Sequence, residues 1–296
     1  MDQPCTRTGE ADGASSPESF TSLPELVILE RNRPANIFAA ITAQQPTILA
    51  RPEWKTVPWS QYPERKTHLQ LLYDLFAYCP GLISTKYYIE SQSIGESTHA
   101  MYRSLVSRVQ SLLEELEQLQ QTWAYEHPDC QWEVPSPVTT PAILDPTGRP
   151  IPIWSTIIHY QSIYHANFAT GSSAILVLLL QLCQDSSMSD TMTPEEMQKI
   201  SGRVRSSGIS ICRGIDYYVD EIRKGAFSYL LLFPLKIALE SVGKTDPAIG
   251  LWLKGTLDRI SSGLSGKWPG KPSASEKLSI LNVSHARRNL VRMIGE

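Results

Sequence analysis

The chain has 296 residues, a hydrophobic fraction of 42%, a charged fraction of 19% and a formal net charge of -3. That length supports one large or two small domains with a substantial core, and the ordinary composition excludes a fibrous or wholly disordered chain. The slight acidic excess argues against a domain that grips phosphates on its own, and the nearest basic cluster, Arg287, Arg288 and Arg292, reads as a solvated helix face.

Met1 to Ser22 is rich in Ser, Gly, Thr and acidic groups, with too few large apolar side chains to offset the entropy of ordering. It is expected to be a tail, with a single domain over 23–296. It has no apolar h-region, so no secretory signal is expected, and in a reducing compartment the sequon Asn282-Val283-Ser284 stays bare. Leu26 to Ile41 predicts two short helices split near Pro34, and Arg51 to Pro63 an ordered loop pinned by Trp54 and Trp59. Leu69, Leu72, Tyr73 and Phe76 have the spacing of one helix face, stopped at Pro80. The series Leu105, Val109, Leu112, Leu116, Leu119, Trp123 is a heptad seam with Glu114, Glu115 and Glu117 outside it, expected to dock on a neighbour within the domain.

A Pro-rich connector, about 128–152, is expected to divide the helices into two groups. Beyond it, Trp154 to Gln184 predicts one long or kinked helix passing through Gly171. Thr193-Pro194-Glu195-Glu196 is a helix start: an N-cap, a proline at the first position and a capping-box glutamate. Met197, Ile200, Val204, Gly208, Ile211, Ile215 and Val219 then trace a stripe flanked by small residues, which predicts a central helix closely approached by another, ending at Gly225. The apolar runs Ala174 to Cys183 and Ala226 to Leu235 fall short of the roughly 20 residues that cross a bilayer, so both are expected to be covered by protein. Asp246-Pro247 starts a helix through Trp252, Leu257 and Ile260, and a last helix is expected over Ser275 to Ile294. No alternating run is long enough to build a sheet, so the predicted fold class is all-α, with two helical groups.

Few residue patterns carry chemistry. The five cysteines are scattered with no C-x-x-C, which argues against a disulfide framework and against a zinc site made of cysteines alone. Gly266 to Pro272 resembles a phosphate loop, but Ser265 replaces its first glycine and Pro272 its magnesium-binding hydroxyl. Gly208 to Cys212 lacks the second glycine of a nucleophile elbow, and Ser241-Val242-Gly243-Lys244 has neither companion motif of the acylating serine enzymes. His159 and His165 are six apart, where a zinc-binding pair wants four. Asp216, Asp220 and Glu221 could hold magnesium for diphosphate chemistry, yet no second acidic motif accompanies them, and Arg213, Arg223 and Lys224 suit a surface ion-pair ladder. The sequence therefore assigns no catalytic, cofactor-binding or metal-ligating residue, and an all-α magnesium-dependent enzyme using Asp216 and Asp220 is the alternative reading.

Three blocks, RPEWKTVPWSQYPERKTHLQLLYDLFAYCPGL, IPIWSTIIHYQSIYHANFATGSSAILVLLLQL and ISICRGIDYYVDEIRKGAFSYLLLFPLKIALESVGKTDPAIGLWL, resemble successive parts of the fungal-specific transcription factor regulatory domain. In order they carry Ile211, Cys212, Ile215 and Tyr217; Gly225 and Ala226; Phe233, Pro234, Leu235 and Ala238; and Trp252, across most of Arg51 to Ile260. The resemblance implies an all-α regulatory domain of a nuclear transcription regulator, often of metabolic or secondary-metabolite genes, working with protein partners of the transcription machinery, a full-length relative or a small-molecule effector. Members usually open with a binuclear zinc cluster of six cysteines. Here only Cys5 precedes Cys79, so a shortened member without direct DNA binding is expected, or a non-DNA-binding competitor of a full-length relative.

Overall fold

The structure, a computed structural model, describes residues 16–93, 95–136, 142–144, 147–184, 192–223 and 229–264. It is mostly helical, as expected. The readings of residues 1–15 of the tail, the helix at Ser275 to Ile294 with its sequon and its Arg287, Arg288 and Arg292 face, the loop at Gly266 to Pro272 and the stop at Gly225 lie outside the described residues.

The expected tail proves shorter at its C-terminal end. Pro17–Phe20 forms a 3-10 turn in which Pro17 is buried, and the Phe20 ring lies 5.6 Å from that of Trp54. Helix α1 (Leu23–Ala43) runs straight through Pro34 as one element rather than two. A proline inside a helix costs about 3 kcal/mol. Leu26, Leu29, Ile37 and Ile41 fall on one buried stripe spanning both sides of it. At about 1.5–3 kcal/mol per buried side chain, burial outweighs the proline.

The loop that follows contains the short helix α2 (Glu53–Thr56), and both of its tryptophans, Trp54 and Trp59, are buried as expected. Helices α3 (His68–Phe76) and α4 (Cys79–Glu90) meet at Pro80, which sits in the first turn of α4. In α5 (Glu96–Glu126) the heptad seam is the buried face, with Leu119 partly covered, and it docks on α3, α4 and α6 (Ile163–Gln184) within the same chain.

The connector holds strands. β1 (Gln131–Pro135) pairs antiparallel with β4 (Thr156–Tyr160), and β2 (Ala142–Leu144) with β3 (Pro150–Pro152). Helix α6 accordingly begins at Ile163, and the stretch Thr156 to Tyr160, expected to be helical, is a strand. Its β-branched Thr156, Ile157 and Ile158 favour extended backbone. Arg213 of α7 (Pro194–Arg223) secures it, donating to Thr156 O at 2.9 Å and pairing with Glu133 of β1 at 2.8 Å.

Helix α6 is the centre. It is long and apolar enough to cross a membrane by length and composition, yet 72% of that apolar window is buried inside the fold by α3, α5, α7 and α8 (Tyr229–Ser241). The second apolar run is treated alike: Leu231, Phe233, Leu235, Ile237 and Ala238 of α8 are buried. Helix α9 (Pro247–Leu264) packs on α8, its first turn capped by Asp246 Oδ1, which accepts from Ala248 N and Ile249 N. One continuous core runs from Leu26 to Ile260, so the two expected helical groups share an interior.

Candidate functional site

A cavity of about 550 Å³ lies where α1, α3, α6 and α8 come together. The sequence creates it by placing small or kinking residues where four helices would otherwise touch. Helix α1 contributes Pro34, Ala35, Phe38 and Ala39; α3 contributes Leu72, Tyr73 and Phe76; α6 contributes Asn167, Gly171 and Ile175; α8 contributes Leu232, Phe233 and Pro234. Both in-helix prolines of the described chain therefore line the same space. Ala35 and Ala39 are exposed, so the mouth opens along α1. Phe233 joins two further rings, Phe76 at 4.5 Å and Phe38 at 5.9 Å between centroids, into an aromatic wall. Size and apolar lining are those of a small-molecule site.

Among the described residues that line the cavity, none is charged. Its clearest polar feature is Asn167. Tyr218, fully buried on α7, donates its O–H to Asn167 Oδ1 at 3.0 Å, and its oxygen lies 2.7 Å from Thr170 Oγ1. Burial pushes the Tyr218 phenol well above its ordinary value, so this link stays protonated. The Asn167 amide carries two N–H groups, of which Tyr218 can take at most one, so Nδ2 keeps a donor to offer.

Behind the α1 and α3 walls sits a buried ion pair that the sequence reading did not anticipate. Arg33, completely buried, binds Asp74 and also donates to Gln70 Oε1 at 2.9 Å and Gln70 O at 3.2 Å. Lys66 reaches the other oxygen of Asp74 at 2.9 Å, and the Arg33 guanidinium lies 4.8 Å from the Trp59 ring centre. Burial lowers the Arg33 pKa while Asp74 opposes the shift. This network holds α1, α3 and the tryptophan loop in register, and so fixes two sides of the cavity. An arginine and an aspartate 41 positions apart carry no pairing signal in sequence.

A second cluster gathers histidines from three elements. Trp123 stacks on His127 at 3.9 Å and on Phe168 at 4.0 Å; His165 lies 5.3 Å and His68 5.9 Å from His127 between ring centres. His68 faces Glu126 at 3.5 Å, and His165 Nδ1 lies 2.8 Å from Ser162 Oγ. Desolvation, then the neighbouring His127, lowers the His165 pKa. His159 lies apart on β4, beside Trp132 and Tyr217. Among the described residues no three His, Cys, Asp or Glu side chains are placed to hold a metal ion.

Asp216 stands half-buried on α7, and the side chains of Asp220 and Glu221 lie outside the described residues, as does Lys224. Arg213, read from sequence as part of a ladder with these acids, reaches the β1–β4 pair. Ser241 is the last residue of α8 and Val242 to Lys244 forms the turn after it, while Gly208 to Cys212 lies inside α7. Cys79, Cys183 and Cys212 are buried thiols, pushed by burial to about 12, 11 and 12 respectively, which makes them poor nucleophiles.

A second hollow, about 460 Å³ between α8 and α9, is lined by Lys236, Lys244, Lys254 and Glu240. Lys236, nearly buried, pairs with Glu240 at 3.5 Å one turn along the helix. Lys244 sits past the end of α8, where a cation complements the helix dipole. Lys236, Glu240 and Lys244 therefore have structural reasons to be where they are.

Compared with known proteins, the chain matches no family model, no curated protein and no solved structure.

Proposed function

We propose that the chain is a transcription regulator of the fungal-specific type, nuclear, acting through its helical regulatory domain on partners of the transcription machinery or on a full-length relative, with an effector held in the cavity among α1, α3, α6 and α8. A metabolic or secondary-metabolite gene cluster is the expected target. One observation carries the reading: the three blocks of resemblance, far apart in sequence, converge on that cavity. The first supplies Leu72, Tyr73 and Phe76, the second Asn167, Gly171 and Ile175, the third Leu232, Phe233 and Pro234. Helix α1, outside the three blocks, closes the space with Pro34, Ala35, Phe38 and Ala39.

Cys5 is the one cysteine ahead of Cys79, so within these residues there is no six-cysteine cluster. Chromatin immunoprecipitation with a tagged chain, alongside transcript profiling of a deletion strain, tests the role. Promoter occupancy and changed transcripts of a co-located gene set are expected. No occupancy and an unchanged transcriptome would end the proposal.

A further inference from the structure

We propose that the cavity takes an uncharged, ring-containing molecule that presents a hydrogen-bond acceptor to Asn167 Nδ2. This rests on reading the cavity as a ligand site, and on no particular transcriptional role.

The charge of the ligand follows from the walls. No described lining residue carries a charge, and the nearby Arg33 and Asp74 are committed to each other behind α1 and α3. A carboxylate or ammonium entering here would lose its water and meet no counter-ion. Its shape follows from the three phenylalanines. Phe233 stands at 41° to Phe76 and 60° to Phe38, so ring faces and edges line one side, a surface suited to offset or edge-on contact with another ring.

Its polarity follows from Asn167. Thr170 has one proton to give and its Oγ1 lies 2.7 Å from both Ala166 O and the Tyr218 oxygen, so Tyr218 either donates to the amide oxygen or donates to Thr170 and accepts from the amide nitrogen. In either arrangement at least one N–H of Nδ2 has no protein partner among the described residues. A ligand carbonyl or ether oxygen would satisfy it, whereas a purely hydrocarbon ligand would strand it. The bond would also connect ligand to α7 through Asn167 and Tyr218, the route by which occupancy could be felt outside the cavity.

The test uses the intact chain and prodan, a neutral dimethylaminonaphthalene ketone whose emission moves to the blue in apolar surroundings, beside the carboxylate made by exchanging its propionyl group for a carboxyl. Prodan is expected to bind saturably with one site per chain, and the carboxylate at least about tenfold more weakly. Asn167→Asp keeps the oxygen that Tyr218 needs but replaces the donor with an acceptor; it should weaken prodan at least about tenfold. Ala39→Phe, at an exposed helix position, should close the mouth and abolish saturable binding while leaving the circular dichroism spectrum unchanged. If neither probe binds, the cavity is no ligand site and the proposed effector falls with it. If both bind equally, or Asn167→Asp binds as the parent does, the site stands and its ligand class is wrong. Undiminished binding in Ala39→Phe places the probe elsewhere and overturns the assignment.

Discussion

Substituting two glycines of the same helix should change stability in opposite directions. Gly202 and Gly208 both lie in α7, and replacing a helical glycine with alanine gains about 1 kcal/mol by restricting the unfolded chain. At exposed Gly202 an added Cβ meets nothing within 4 Å, so Gly202→Ala should stabilise by about that amount. At buried Gly208 the same atom would lie 2.4 Å from Val242 Cγ2 and 2.8 Å from Ser241 Oγ. Carbon atoms rest about 3.5–4.0 Å apart, so α7 and α8 must separate by about 1 Å or distort, and overpacking of this kind costs about 1–3 kcal/mol. Val242 is β-branched and completely buried, so it has little freedom to turn aside. The net for Gly208→Ala is therefore neutral to about 2 kcal/mol destabilising. Trimming the obstacle should reveal the hidden gain: on a Val242→Ala background, Gly208→Ala should raise stability, with a coupling of about 1–3 kcal/mol in the double-mutant cycle. Urea unfolding followed by tryptophan fluorescence gives each midpoint. Equal stabilisation by the two alanines, or a coupling below about 0.5 kcal/mol, would mean that α7 and α8 do not touch at Gly208 and would refute the argument.

Asp74→Ala should cost about 3–5 kcal/mol, because it leaves Arg33 charged and buried, whereas the paired change Arg33→Met with Asp74→Leu should cost far less; denaturant unfolding of the three chains decides it. His165 titrates below the ordinary histidine range because burial and His127 disfavour its charged form. The unfolded chain therefore takes up the proton first, so the contribution of His165 is complete above the unfolded histidine pKa of about 6.5 and is lost as pH falls toward the depressed folded value. His165→Phe should flatten that acid limb in melting temperatures recorded across the window, and an unchanged limb would assign the loss to other groups.

What could be read from sequence, and what could not, divides along the range of the interaction. The α5 seam, the α7 stripe and the Thr193 cap were legible because each is a periodicity or a motif within a few turns; the cap appears in the fold as Glu196 Oε2 accepting from Thr193 N at 2.8 Å and Glu196 N donating to Thr193 Oγ1 at 3.2 Å. The stripe even announced the close approach at Gly208, since small residues on a buried face have no other common use. Pro34 misled because a local rule was applied where a long-range term was larger: the helix it interrupts is held by side chains on both flanks burying against α3, α4 and α8. Thr156 to Tyr160 misled for the opposite reason. It runs into strongly helical sequence, but its β-branched run pairs with Gln131 to Pro135, Gln131 opposite Tyr160 and Pro135 opposite Thr156, and Arg213 from α7 holds the pair in place.

The candidate site was the least legible part, and for a physical reason. A cavity is made by what side chains fail to fill, and Ala35, Ala39, Gly171, Pro34 and Pro234 are each unremarkable in their own segments. Their common destination exists only once α1, α3, α6 and α8 have been brought together by the core, and the Arg33–Asp74 pair that fixes two of those helices joins residues 41 apart. If the cavity's walls matter more to the protein than its stability does, then filling it through Gly171, whose added Cβ would sit a tolerable 3.4 Å from Leu72 Cδ2, should leave the urea midpoint within about 1 kcal/mol of the parent while removing probe binding once the side chain is large enough to occupy the space. A Gly171→Val chain that loses both together would instead mark this space as an ordinary packing defect tied to the fold.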